Sequence, residues 1–163
     1  MSAQTGRTTK KYATFIIEDS GGTLREIPVD SINGVGLTYE EMDLTAFQDA
    51  ITGVLLDIPD LSIDISGPFD SSAAAAVGTL SGSHTILSAI AGDNDPLAFD
   101  VQLGIRQAWE DGEPQFGISS TTANGILCTS YIVDPGTGKY SASFRMAAGS
   151  AAPAWGTSAE SVG

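Results

Sequence analysis

The chain has 163 residues, 42% of them hydrophobic and 17% charged. That balance fits one domain with a buried core and excludes a disordered polyelectrolyte or a coiled coil. Twenty acids against seven bases give a formal net charge of −13, which excludes a protein that grips duplex DNA through a basic face. A single cysteine, Cys128, and a single histidine, His84, leave no internal disulfide and no cysteine-built zinc site. No apolar run approaches the roughly 18–20 residues that span a bilayer, and no membrane or cofactor is expected. Met1 to Lys11 is polar and basic without an apolar region behind it, so no secretory signal is expected either.

In chain order, Ala13, Phe15 and Ile17 alternate with Thr14 and Glu18, a strand signal stopped by Asp19-Ser20-Gly21-Gly22. Leu24 to Val29 reads as the returning strand of a hairpin. Val35, Leu37 and Tyr39 alternate until the acidic pair Glu40-Glu41, after which Met42, Leu44 and Ala46 carry the apolar side; the slipped phase predicts a bulge or bend. Phe47 to Asp60 has neither period and reads as a long, partly apolar loop. Leu61, Ile63 and Ile65 resume strict alternation with Ser62, Asp64 and Ser66. Asp70 to Gly82 is alanine-rich and low in complexity, a segment expected to be mobile. Ser83 is the expected N-cap of one short helix with Ile86, Leu87 and Ile90 on a face and Gly92 as its stop. Leu97, Phe99, Val101, Leu103 and Ile105 form the clearest alternating strand, followed by a turn at Glu110-Asp111-Gly112-Glu113-Pro114 and a partner strand starting at Phe116 and Ile118. Ile126 to Val133 is apolar on both faces and is expected to be central; Pro135-Gly136-Thr137-Gly138 turns it into Tyr140, Ala142, Phe144 and Met146. The expected fold is mainly β: a sandwich or barrel of about eight antiparallel strands with one short helix and a long protruding loop.

The charge is segregated. Residues 1–17 carry Arg7, Lys10 and Lys11 and no acid, for +3, and the remainder carries −16. A basic arm ahead of an acidic body suits contact between copies, arm of one on body of the next.

Motifs for chemistry fail one by one. Asp134-Pro135-Gly136-Thr137-Gly138-Lys139 resembles the end of a phosphate loop, but Val133 stands where the first glycine is required and Tyr140 where a hydroxyl is required for magnesium. His84 sits in a helix's first turn with no orienting carboxylate in sight. Cys128 lies inside the most apolar strand and reads as a small core residue. Asp93 and Asp95 are followed by Pro96 and Leu97 where a calcium loop needs a glycine and further oxygens. Trp109 and Trp155 bracket hairpin ends as aromatic anchors or covers of the core edge. No enzyme is expected, and no catalytic or metal residues are assigned.

One order of parts is distinctive. Glu41, Asp43, Leu44, Thr45 and Phe47 enter the long loop, and Ile65, Ser66 and Gly67 close the strand that returns from it. This pattern resembles the major tail tube proteins of long-tailed bacteriophages, over roughly residues 12–147. The alanine-rich stretch and the tail after Ala147 have no counterpart in the resemblance. It implies a β-sandwich protomer that forms hexameric rings stacked into a tube conducting DNA, in a virion tail assembled in the host cytoplasm. It implies as partners further copies of the chain, other tail proteins (tape measure, terminator and distal tail proteins), and DNA that passes without specific binding. Residues 1–11 would then be a flexible arm with Arg7, Lys10 and Lys11 reaching the next ring, 12–147 the sandwich, and 148–163 a small-residue tail whose last residues fray. The subunit interface is expected at Tyr39, Glu41, Asp43, Phe47, Ile51, Val54, Leu55 and Leu56, since an exposed loop with these residues is a sticky patch. The channel wall is expected to carry Ser62, Asp64, Ser66, Asp100 and Gln102, on the side of their strands away from the core. Two other classes remain open: a capsid decoration or other head or tail accessory protein, and a ligand-binding β-sandwich module.

Overall fold

A computed structural model describes residues 13–43, 53–103, 114–118 and 124–157. Among them run eleven strands and one helix: β1 (Ala13–Glu18), β2 (Leu24–Ile27), β3 (Ser31–Asn33), β4 (Thr38–Asp43), β5 (Val54–Asp60), β6 (Ser62–Pro68), α1 (Ser83–Ile90), β7 (Phe99–Leu103), β8 (Pro114–Ile118), β9 (Ile126–Asp134), β10 (Lys139–Met146) and β11 (Ala154–Thr157). They form a five-stranded sheet in the order β11-β8-β7-β1-β2, a four-stranded sheet in the order β3-β6-β10-β9, and a separate two-stranded ribbon, β4-β5. Every strand pairing is antiparallel. The fold is the expected β-sandwich with a single short helix.

Alternation decides which side chains meet. Phe15, Ile17, Phe99, Val101 and Phe116 from the five-stranded sheet face Ile63, Ile65, Tyr140, Ala142 and Phe144 from the other, all buried. The Phe15 and Phe144 rings stand 5.5 Å apart across the sandwich. Each such large side chain contributes about 1.5–3 kcal/mol on leaving water. Tyr140 satisfies its buried hydroxyl by donating to the Pro28 carbonyl oxygen at 2.7 Å, which ties β10 to the end of β2. The helix adds Ile86, Leu87 and Ile90 to the same core, as its apolar spacing implied, and Gly92 follows with φ +78°, the left-handed turn that ends it.

Several expectations change. Three strands were not foreseen: β3, too short to show a period; β5, within the stretch read as loop; and β11, within the stretch read as a small-residue tail. The helix N-cap is Gly82, not Ser83. Ser83 is buried, its Oγ donating to the Pro68 carbonyl and accepting from the Asp70 N–H, so it locks the approach to the helix from inside its first turn. The alanine-rich stretch, mostly exposed, carries specific polar hydrogen bonds. Ser81 Oγ accepts from the Ala75 N–H and donates to the Ala75 carbonyl, and the Gly78 N–H donates to a Glu26 carboxylate oxygen. Polar hydrogen bonds hold what apolar packing does not. Strand β9 is an edge strand rather than a central one. Its first half nevertheless has neighbours on both sides, because Gly92 donates to the Cys128 carbonyl and Leu97 bridges Ile126.

Candidate assembly surface

The β4-β5 ribbon is built from the sandwich outward. Strand β3 leads through residues 34–37 into β4, and β5 passes through the single buried residue Leu61 into β6. Since β3 pairs with β6, the ribbon prolongs the β3-β6 edge of the four-stranded sheet. Its pairs are Thr38 with Asp60, Tyr39 with Pro59, Glu41 with Leu56, Met42 with Leu55 and Asp43 with Val54, with a register shift at Glu40. The bulge predicted from the slipped alternation is therefore present. At the root, Thr38 Oγ1 donates to the Asp60 carbonyl, and Arg145 holds Asp60 Oδ2 at 2.7 Å while its Nε donates to the Leu61 carbonyl. The Arg145 hydrogen bond is the largest influence on Asp60, holding its carboxyl below the usual range.

Beyond that root the ribbon is hydrogen-bonded as a sheet of its own. All six residues of β4 are exposed, and Leu55 and Leu56 show 58% and 62% of their surface to solvent. Tyr39, Met42 and Val54 are also exposed. A two-stranded ribbon alone in water is marginal, and this one carries large apolar side chains. Of the expected interface residues, Tyr39, Glu41, Asp43, Val54, Leu55 and Leu56 come together here; Phe47 and Ile51 lie outside the described residues, as do Arg7, Lys10 and Lys11 of the arm.

The expected channel residues separate into two groups. Ser62, Asp64 and Ser66 stand on the outer face of the four-stranded sheet, where Asp64 and Ser62 are exposed and Asp64 accepts from the Ser143 hydroxyl at 2.6 Å. The register sets them in cross-strand rows: Ser31, Ser66, Ser141 and the exposed Ile132 in one, and Asn33, Asp64, Ser143 and Ser130 in the next. This serine-rich face, apolar only at Ile132 in these two rows, was missed as a unit, although Ser62-x-Asp64-x-Ser66 and Ser141-x-Ser143 spell its rows in the sequence. Two basic residues point the same way on β10, and both are paired: Lys139 with Asp30 at 3.0 Å and Arg145 with Asp60. With Arg25 on Asp19, each of the three basic side chains among the described residues stands in an ion pair.

Asp100 and Gln102 are elsewhere, and the expectation that they face solvent is corrected. They lie on the outer face of the five-stranded sheet, and that face is covered. Asp100 is 3% exposed and Gln102 2%, beside buried Thr14, Ile16 and Glu18. Alternation had placed them off the core correctly, but the second face of this sheet is not a water face. Loss of hydration is the dominant influence on the Asp100 carboxyl and pushes it up to about 6, against a hydrogen bond from Gln115 Nε2 at 3.1 Å that pulls it down. Burial likewise raises Glu18. Both amide atoms of Gln102, Gln115 Oε1 and Glu18 Oε2 are buried without a hydrogen-bond partner.

The residues weighed for chemistry have structural settings. Cys128 is buried in β9, and burial raises its thiol to about 11. His84 is half-buried between Phe69 and Tyr131, its ring tilted by 39° and 37° against theirs at centroid distances of 4.8 and 5.8 Å, with Nδ1 3.1 Å from the Tyr131 hydroxyl oxygen. Trp155 covers the core edge, its ring 4.9 Å from that of Phe116; Trp109 lies outside the described residues. Among the described residues no group of three His, Cys, Asp or Glu is placed to hold a metal ion, and no helix is long and apolar enough to cross a membrane.

No protein-family model matches the sequence, and no curated protein matches it. Solved structures do match in fold. The chain is similar to the anti-feeding prophage cap, the AFP tube-terminating cap, with a TM-score of 0.61 at 11% identity over 97% of this chain and 95% of that one. A chain of the sheath-tube complex of an extracellular contractile injection system (PVC, extended state) matches at a TM-score of 0.45 and 11% identity, covering 88% of each chain.

Proposed function

We propose that this chain is a non-enzymatic structural subunit of a phage-tail-like tube, which self-assembles into rings of six copies stacked around a channel that passes DNA. The observation that carries the reading is the β4-β5 ribbon, which prolongs the sandwich edge and leaves Leu55, Leu56, Tyr39 and Met42 exposed to solvent. A neighbouring copy covers them. Each of these side chains, once buried, contributes about 1.5–3 kcal/mol, enough for a few to offset much of the cost of association. The hydroxyl rows with Asp64 form the channel wall, because a conduit for a polyanion must not trap phosphates and the two β10 cations are already neutralised by Asp30 and Asp60. The basic arm with Arg7, Lys10 and Lys11 docks on the acidic body of the next ring. Further tail proteins close the two ends of the tube, and the particle is a virion tail.

The fold likeness to a tube-terminating cap supports a second reading, in which the chain forms a single ring that ends a tube. Electron microscopy of the concentrated protein in negative stain separates the outcomes. Stacked rings support the tube, single rings the cap, trimers a decoration protein, and featureless monomers a ligand-binding module.

A further inference from the structure

The chain contains two Asn-Gly pairs among its described residues, Asn33-Gly34 and Asn124-Gly125, and both glycines are imposed by the fold. Gly34 has φ +84° and a Cβ there would run into the Ser62 carbonyl oxygen; Gly125 has φ +148° and a Cβ would run into the Leu97 carbonyl. Neither position accepts a larger residue. An asparagine before glycine is the pair most open to attack of the following backbone nitrogen on the side-chain carbonyl carbon, because glycine offers no side chain to obstruct ring closure.

The two pairs are held differently. At the second, both reacting groups are engaged: the Gly125 N–H donates to Ser150 Oγ at 2.9 Å, and Asn124 Oδ1 accepts from the Ala151 N–H at 2.8 Å. The attacking nitrogen is tied to one partner and the carbonyl it must reach is turned to another. At the first, Asn33 is exposed at the last residue of β3, and its amide nitrogen reaches Ser31 Oγ at a long 3.4 Å. A bond that long restrains a side chain weakly.

We infer that Asn33 is a site of spontaneous deamidation, and that the hydrogen bonds of Ser150 and Ala151 protect Asn124 from the same reaction. The Gly34 nitrogen loses its proton and bonds to Asn33 Cγ. The Cγ–Nδ2 bond breaks, and ammonia leaves with that proton. Water then opens the resulting five-membered imide at one carbonyl or the other, giving aspartate or isoaspartate. One water is consumed and one ammonia released, with no redox change. Asn33 is the cross-strand partner of Asp64, so either product sets a second negative charge opposite the first, an unfavourable pairing. The isoaspartate form also routes the backbone through the side chain at the point where β3 gives way to the connection into the ribbon.

The test is peptide mapping by mass spectrometry of the purified full chain aged at mildly alkaline pH. The Asn33 peptide is expected to convert to two chromatographically distinct acids at least about tenfold faster than the Asn124 peptide, the factor set by breaking one or two ordinary hydrogen bonds. In denaturant the two rates converge, and Ser150→Ala speeds the Asn124 reaction in the folded chain. Equal rates in the folded chain, or an Asn33 that stays amide while the denatured chain reacts, would overturn the inference.

Discussion

Replacing Asp100 by asparagine tests how the five-stranded sheet tolerates its covered polar face. The carboxyl is pushed from 3.8 in an unfolded chain to about 6 by burial. The folded state therefore binds more protons than the unfolded state between these values, and stability falls as pH rises through that window. Below the unfolded value the penalty is absent; above the folded value it is complete. A gap of about two pH units corresponds to roughly 3 kcal/mol at neutral pH. Asparagine has nearly the same shape, keeps an oxygen to accept from Gln115 Nε2, and brings an N–H₂ to a region where Gln115 Oε1 and Gln102 Oε1 are unpartnered. Asp100→Asn is therefore expected to stabilise by up to about 3 kcal/mol near pH 7, a Tm gain of about 6–12 °C for a chain of this size. Near pH 4 the gain should vanish. Calorimetry or circular dichroism melts of both proteins from about pH 4 to pH 8 measure it. A variant that is less stable at neutral pH, or a gain that does not depend on pH, would refute the assignment of Asp100 as a buried, desolvated acid.

Other expectations follow from the same geometry. Leu55→Asp with Leu56→Asp should leave a folded protomer that no longer assembles, read by light scattering beside an unchanged circular dichroism spectrum; normal assembly would remove the ribbon from the interface. Deleting residues 1–11 should spare the fold and weaken stacking between rings, as should raised salt, since exposed charges are screened beyond about 8–10 Å; unchanged tube lengths would contradict the arm's role. Asp64→Lys should leave assembly intact while raising affinity of the assembled particle for DNA at low salt, measured by fluorescence anisotropy, because an unpaired cation on the wall traps phosphate. Tyr140→Phe should cost about 1–3 kcal/mol in denaturant melts, because the Pro28 carbonyl loses its buried donor.

Legibility in the sequence followed the physics of each element. Leu61 to Ser66 and Leu97 to Leu103 were readable because one side of each strand faces the core, and burial imprints a period of two. Strand β5 left no such imprint because its consecutive Val54, Leu55 and Leu56 are all exposed, so burial does not select apolar residues at alternate positions there; Pro59 and Gly53 disguise it further. The slipped phase at Glu40 was readable because a bulge exchanges the faces on either side of it. Asp100 and Gln102 show the limit of alternation: it separates the two faces of a strand but does not say whether the second is wet. The serine rows were visible one strand at a time, and only the register joins them into a wall. Ser83 misled because a serine before an apolar run signals an N-cap, whereas here its hydroxyl fastens residues 68 and 70.

Self-association through the β4-β5 ribbon is read most directly from the mass in solution. Light scattering across a concentration series should show wild-type protein as a multiple of the 16.7 kDa chain, with the Leu55→Asp, Leu56→Asp variant at the mass of one chain. A wild-type protein that stays a single chain at the highest concentrations, with its ribbon residues still open to solvent, would contradict it.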